Sequence, residues 1–152
     1  LDVMPIPYAD LRVTTVEVPA AAQSGTEISV GWTVLNDGIG RTDRTSWSDT
    51  VILARDPAGQ NVVARVSFDH LGALEAGGSY ERTGTIQLPD ALSGPIYAIV
   101  ITGGPFEFLY TDNNSASAGP IQVTQSPAPA LIVTAITAPV SISTACSALC
   151  AR

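Results

Sequence analysis

Short runs in which apolar and polar residues alternate, separated by turn residues, make up most of the chain, and no apolar pattern of period 3.6 persists for three turns. The pattern predicts an all-β protein. The clearest strand spans 26–35, where Ile28, Val30, Trp32 and Val34 alternate with Glu27, Ser29, Gly31 and Thr33, so that the first set forms a core face. In the opening strand Leu11 and Val13 share one phase and Val16 and Val18 the other. That switch near Thr14 and Thr15 predicts a bulge or a crossing between sheets.

Further along, Asn36-Asp37-Gly38-Ile39-Gly40 is a turn cluster, followed by a polar loop to about Ser48. Strands are predicted at 50–55, 62–68 and 80–88, the last ended by Pro89, which cannot donate to a sheet ladder. Ile96 to Thr102 is apolar on both faces, as a central strand requires, and 106–110 and 121–124 close the set. About seven short strands at roughly ten-residue spacing, several with one polar face, suggest an immunoglobulin-like antiparallel β-sandwich with Greek-key connections; a closed barrel is the alternative.

Residues 125–129 (Gln-Ser-Pro-Ala-Pro) read as a proline-rich linker. Beyond it the chain echoes its own beginning. Leu11-Arg12-Val13-Thr14-Thr15-Val16-Glu17-Val18-Pro19 aligns with Leu131-Ile132-Val133-Thr134-Ala135-Ile136-Thr137-Ala138-Pro139 at a constant offset of 120 residues. Residues 130–152 therefore read as the truncated start of a second repeat, too short to bury a core and expected to be poorly ordered. The sequence opens at Leu1 rather than Met, and we read it as an excerpt of a longer chain.

Composition narrows the function classes. A net charge of −7 argues against the phosphate-neutralising surface that nucleic acid or anionic membrane demands. The longest apolar runs are far too short to cross a bilayer core of about 30 Å. All seven basic residues are arginine, so no lysine is available for Schiff-base chemistry. Cys146 and Cys150 lie in the C-terminal segment, where they cannot brace residues 9–124, and they read as unpaired thiols. Two thiols without a nearby His do not make a zinc site.

No cofactor is indicated, and three constellations are candidates for a site. Asp37, Asp43 and Asp49 with Asp112-Asn113-Asn114 supply hard oxygens for calcium, which takes about six to eight of them; the competing reading is turn chemistry, with Asn36 and Asn114 closing loops. Phe106, Phe108 and Tyr110 at period 2 form either a strip for stacking on sugar rings or part of the core. Trp47, in the polar stretch Thr45-Ser46-Trp47-Ser48-Asp49, is either a binding anchor or packed at the core edge. The single histidine, His70, lacks a nucleophile elbow of the Gly-x-Ser-x-Gly type, so no catalytic residue is assigned and an enzyme is not expected.

The ordered series Ala9-Asp10-Leu11-Arg12-Val13, Pro19, Ser24-Gly25, Val30-Gly31-Trp32-Thr33-Val34-Leu35-Asn36-Asp37-Gly38, Trp47-Ser48-Asp49, Asp69-His70-Leu71-Gly72, Leu74-Glu75-Ala76-Gly77, Tyr80 and Asp112-Asn113-Asn114 resembles the CARDB family, the cell-adhesion-related domain found in bacteria. The resemblance covers roughly residues 9–124, and its most telling parts are the Trp32–Gly38 stretch and the late asparagine pair. It implies an immunoglobulin-like sandwich, often in tandem within large secreted or surface proteins, placed outside the cell. The implied role is adhesion or architecture, with a protein or polysaccharide partner and neighbouring repeats of the same chain. It carries no catalytic motif to transfer.

Overall fold

The computed structural model describes residues 7–107, 110–127 and 132–137. The described residues form eight strands in two sheets and no helix: β1 (Leu11–Glu17), β2 (Ala21–Gln23), β3 (Glu27–Asn36), β4 (Ser46–Ala54), β5 (Val62–Leu71), β6 (Ser79–Gln87), β7 (Gly94–Ile101) and β8 (Ser115–Thr124). One sheet has the order β1-β3-β6 and the other β2-β8-β7-β4-β5. Every pairing is antiparallel except that of β2 with β8.

The phase switch in the first strand is a register irregularity between Val13 and Thr15, which leaves Thr14 without a residue opposite it on β3, although its hydroxyl donates to the Thr33 carbonyl. Leu11 and Val13 thereby point inward before it, and Val16 turns to the core after it. From β3, the predicted set Ile28, Val30, Trp32 and Val34 is buried and meets Trp47, Val51 and Leu53 of β4, Ile86 of β6, and Ile96, Ala98 and Val100 of β7. β7 is also apolar on its outer face, where Ile99 packs with Ile52, Ala54 and Tyr97 in a second small cluster. Hydrophobic residues on both sides are what place this strand at the centre of its sheet.

The side of the sandwich between β5 and β6 is closed by side chains rather than by a ladder. Phe68 reaches from β5 to Trp32, with ring centroids 5.3 Å apart, and the Arg82 guanidinium covers the other side of the Phe68 ring. Arg82 also donates to the Asp69 carbonyl. A methyl group at Gly84 would run into the Phe68 ring, so the absence of a side chain there makes room for the closure.

Several boundaries differ from the sequence expectation. β4 begins at Ser46, inside the predicted polar loop, and Asp69–Leu71 extend β5 beyond its predicted end at 68. The three-residue β2, Ala-Ala-Gln, has no alternation to reveal it; it exists because β8 offers an open edge. The described part of 106–110 is not a strand, and Phe108, the middle ring of the aromatic strip expected there, lies outside the described residues. Residues 132–137 carry no strand, and Ile132, Val133 and Ile136 are exposed. The remainder of the expected second repeat, including Cys146 and Cys150, lies outside the described residues.

Trp32 sits at the meeting point of both sheets and the Phe68 side wall. Trp32→Ala is expected to lower stability in urea unfolding by about 3–5 kcal/mol, the range for large-to-small core truncations. A loss below about 1 kcal/mol would contradict this placement, being what surface substitutions show.

Candidate functional site

The positions along β4 that face inward include Asp49 between Trp47 and Val51, so the strand's own alternation carries a carboxylate into the core. Asp49 is fully buried. Trp32 of β3 donates its Nε1–H to Asp49 Oδ2 at 2.8 Å, and the Tyr80 hydroxyl of β6 lies 2.9 Å from both carboxylate oxygens. Tyr80 Oη in turn accepts from Trp47 Nε1 at 3.1 Å and lies 3.5 Å from Thr102 Oγ1. The acceptors of one sheet are thereby matched to donors of the other.

His70, opposite Trp47 on β5, covers this cluster from outside. Its ring stacks on Trp47 and on Tyr80, with centroid distances of 4.1 Å and 4.0 Å. Nε2 lies 3.1 Å from the Gly72 carbonyl, a contact in which Nε2 carries the proton. Burial pushes the His70 pKa below its ordinary value, while the Gly72 hydrogen bond and the Asp49 charge act the other way. Burial likewise drives the Tyr80 phenol far above its usual range, with the Asp49 charge adding to the shift. The hydrogen bonds of Asp49, Trp32, Tyr80 and Trp47 all run from one sheet to the other, so the cluster acts as a lock between sheets.

A second polar assembly closes the end of the sandwich where the chain enters. Asn36, fully buried at the end of β3, accepts the Asp10 N–H (3.0 Å) and the Gly38 N–H (3.2 Å) through Oδ1. Its Nδ2 donates to the carbonyls of Gly40 (2.8 Å), Leu74 (3.1 Å) and Glu75 (3.1 Å). One side chain therefore ties the segment before β1, its own loop and the β5–β6 loop. Gly40 presses against the backbone of Pro7 and Tyr8, where any Cβ would collide. Nearby, Glu107 accepts from the Leu11 N–H (2.7 Å) and from Asn114 Nδ2 (2.7 Å), and Asn113 Nδ2 donates to Asp10 (2.9 Å). Burial raises the pKa of Glu107, against the two hydrogen bonds that favour its charged form.

No protein-family model matches the chain, and neither does any curated protein. Solved structures do match. The CARDB domain of a Pyrococcus furiosus protein, crystallised in complex with di-metal ions, superimposes with a TM-score of 0.56 at 15% identity, over 81% of this chain and 95% of that one. The solution structure of the same domain gives 0.55 at 14% identity, over 80% and 100%. The chain has the CARDB fold. An alkylpurine DNA glycosylase from Pseudomonas fluorescens, bound to DNA containing an abasic site analogue, matches with a TM-score of 0.50 at 17% identity, over 78% of this chain but 31% of that one. At these identities the likeness concerns fold alone.

On this CARDB scaffold the calcium candidates are dispersed. Asp49 serves the lock; Asp37 pairs with Arg12 at 3.5 Å; Asp43 accepts the Phe106 N–H at 2.9 Å; Asp112 is exposed on the β7–β8 connection. Among the described residues no group of three or more His, Cys, Asp or Glu is placed to hold a metal ion. Asn36 does the turn chemistry read from the sequence, though it reaches further than its own loop. Trp47 is 6% exposed beneath His70 and Tyr80, which withdraws it as a binding anchor. Phe106 and Tyr110 are exposed, at 56% and 66%, on a connection and not on a strand face. Tyr80 and Thr102 were missed as members of the polar cluster; the signal was the shared phase of Trp47, Asp49 and Val51, which marks Asp49 as inward.

Three outcomes follow from this chemistry. Asp49→Ala leaves the Trp32 and Tyr80 donors buried without an acceptor and is expected to lower stability by about 3 kcal/mol in denaturant melts; a change near zero would show that the lock contributes nothing. Asn36→Asp keeps the shape but sets a carboxylate against three carbonyls, and a loss of about 2–4 kcal/mol is expected at neutral pH. For His70, an NMR titration should give a pKa below about 6.5, the ordinary value. The folded chain then binds that proton less readily than the unfolded one, so stability is full above about pH 6.5 and falls as the pH drops below it. His70→Gln should remove that component of the decline.

Proposed function

We propose that the chain is a non-catalytic module of a larger bacterial surface or secreted protein, an extracellular strut that spaces or presents neighbouring repeats. The finer architecture we assign to it is an immunoglobulin-like Greek key, supported by the sheet orders β1-β3-β6 and β2-β8-β7-β4-β5 with a short second strand crossing between sheets. The observation that carries the functional reading is that its buried reactive groups are consumed internally. Asp49, Tyr80 and His70 bond or stack with one another, and the chain enters at the Asn36 end and leaves at the opposite end beside Ser24. That geometry suits transmission of position along an array. The negative net charge supports a protein or polysaccharide partner over nucleic acid, without insertion into a membrane.

A second reading, a carbohydrate-binding accessory module, draws on the exposed rings of Phe106 and Tyr110. One pair of measurements separates the two. Held by its ends in an optical trap, a strut is expected to unfold in one cooperative step and to refold on relaxation, and the labelled chain is expected to stay at background on a glycan array. Saturable glycan binding lost in Phe106→Ser would replace the strut by the accessory module. Gradual extension without a cooperative step would overturn the strut.

A further inference from the structure

The two ends of the sandwich differ in a way the strut reading alone does not use. The exposed large hydrophobics of residues 7–127 gather at the entry end, where Ile39, Leu71, Ile101, Phe106 and Tyr110 lie on or beside the connections after β3, β5 and β7; Val62 stands at the other end. The exit end presents a different surface, with Ala20, Pro89 and Ala91 exposed around the turns that follow β1 and β6, and Asp90 exposed between the last two. Rings facing Pro89, Ala20 and Ala91 are matched as apolar surfaces, while the Asp90 carboxylate can stay in water at the rim.

The tethers at each end fix how close two such domains would come. At the exit, the Ser126 N–H donates to Ser24 Oγ at 2.9 Å, so the chain is still held by the sandwich two residues after β8. At the entry, the chain is held before β1 begins. Gly40 N–H donates to the Tyr8 carbonyl (3.0 Å), Asp37 N–H to the Asp10 carbonyl (2.8 Å), and Asp10 N–H to Asn36 (3.0 Å). The repeat offset of 120 residues places Pro127 at the position of Pro7 and Leu131 at that of Leu11. Ser126 is thus fixed by one domain, and the positions from 128 onward correspond to those hydrogen-bonded by the next, beginning at Tyr8. Only Pro127 lies between the two tethers, and the fixed φ of proline gives it little slack.

We propose that the entry end bearing Ile39, Phe106 and Tyr110 seats the exit end of a preceding copy of this domain, in a junction whose linker is pinned on both sides. The proposal rests on the tandem-repeat reading. The array it produces is a rod of fixed inter-domain orientation, in contrast to beads on a flexible string.

A fusion of residues 1–130 to a second copy of 11–152 preserves the natural offset and tests this directly, with residual dipolar couplings as the readout. The expected result is two folded copies sharing one alignment tensor. Insertion of Gly-Ser-Gly-Ser after Ser126, or Phe106→Ser with Ile39→Ser in the second copy alone, should split it into two tensors while both copies stay folded. Two folded copies with different tensors in the direct fusion would overturn the junction and leave the repeat standing. A second copy that fails to fold in the direct fusion, but folds with the inserted linker, would overturn the 120-residue repeat register on which the junction depends.

Discussion

A carboxylate sealed between two apolar sheets must be satisfied by hydrogen bonds, because water cannot reach it and leaving it unpaired costs several kcal/mol. Asp49 meets that demand with Trp32 from β3 and Tyr80 from β6, both in the sheet opposite its own. The two described salt bridges, Arg12–Asp37 and Arg41–Glu75, are both at the surface, so the buried charge is met by neutral donors. This fixes more than a local geometry. Apolar sheets can slide or rotate over one another at modest cost, whereas an indole N–H and a phenol converging on one carboxylate permit a single registration. Trp47, Thr102 and the His70 lid then take their positions from Tyr80.

The Asn36 assembly applies the same logic to an end of the sandwich. The segment before β1 and two loops, also linked by backbone hydrogen bonds, share one buried amide, which uses both its donor and its acceptor capacity. The consequence reaches the chain outside the sheets: Pro7–Asp10 are ordered against the loop after β3, so the direction in which a preceding segment arrives is set. An interior lock and an ordered entrance are both properties of a part that holds position, and neither leaves a reactive group free.

Sequence alternation made the core legible because burial of one strand face is a local, period-2 property. Ile28 to Val34 and the double-sided β7 were readable for that reason, and even the bulge near Thr14 left a phase switch behind. What sequence could not reveal depended on partners distant along the chain. β2 pairs only because β8 is open beside it, and Phe106 and Tyr110 share a phase in sequence although neither lies in a strand. The polar cluster was legible in pieces: Trp32 and Tyr80 carried core phase, but their convergence on Asp49 spans 17 and 31 residues and needs the sheets to close. Aspartates close together in sequence suggested calcium, yet strand pleating sends Asp49 inward and the loops carry Asp37 and Asp43 elsewhere.

The most direct test of the inter-sheet lock is hydrogen exchange at the Trp32 indole, followed by NMR. With its Nε1–H held by Asp49 between the sheets, exchange is expected to require global unfolding, and its protection should match that of the slowest backbone amides of β3 and β7. Exchange as fast as that of an exposed indole would mean that the carboxylate does not hold the sheets together.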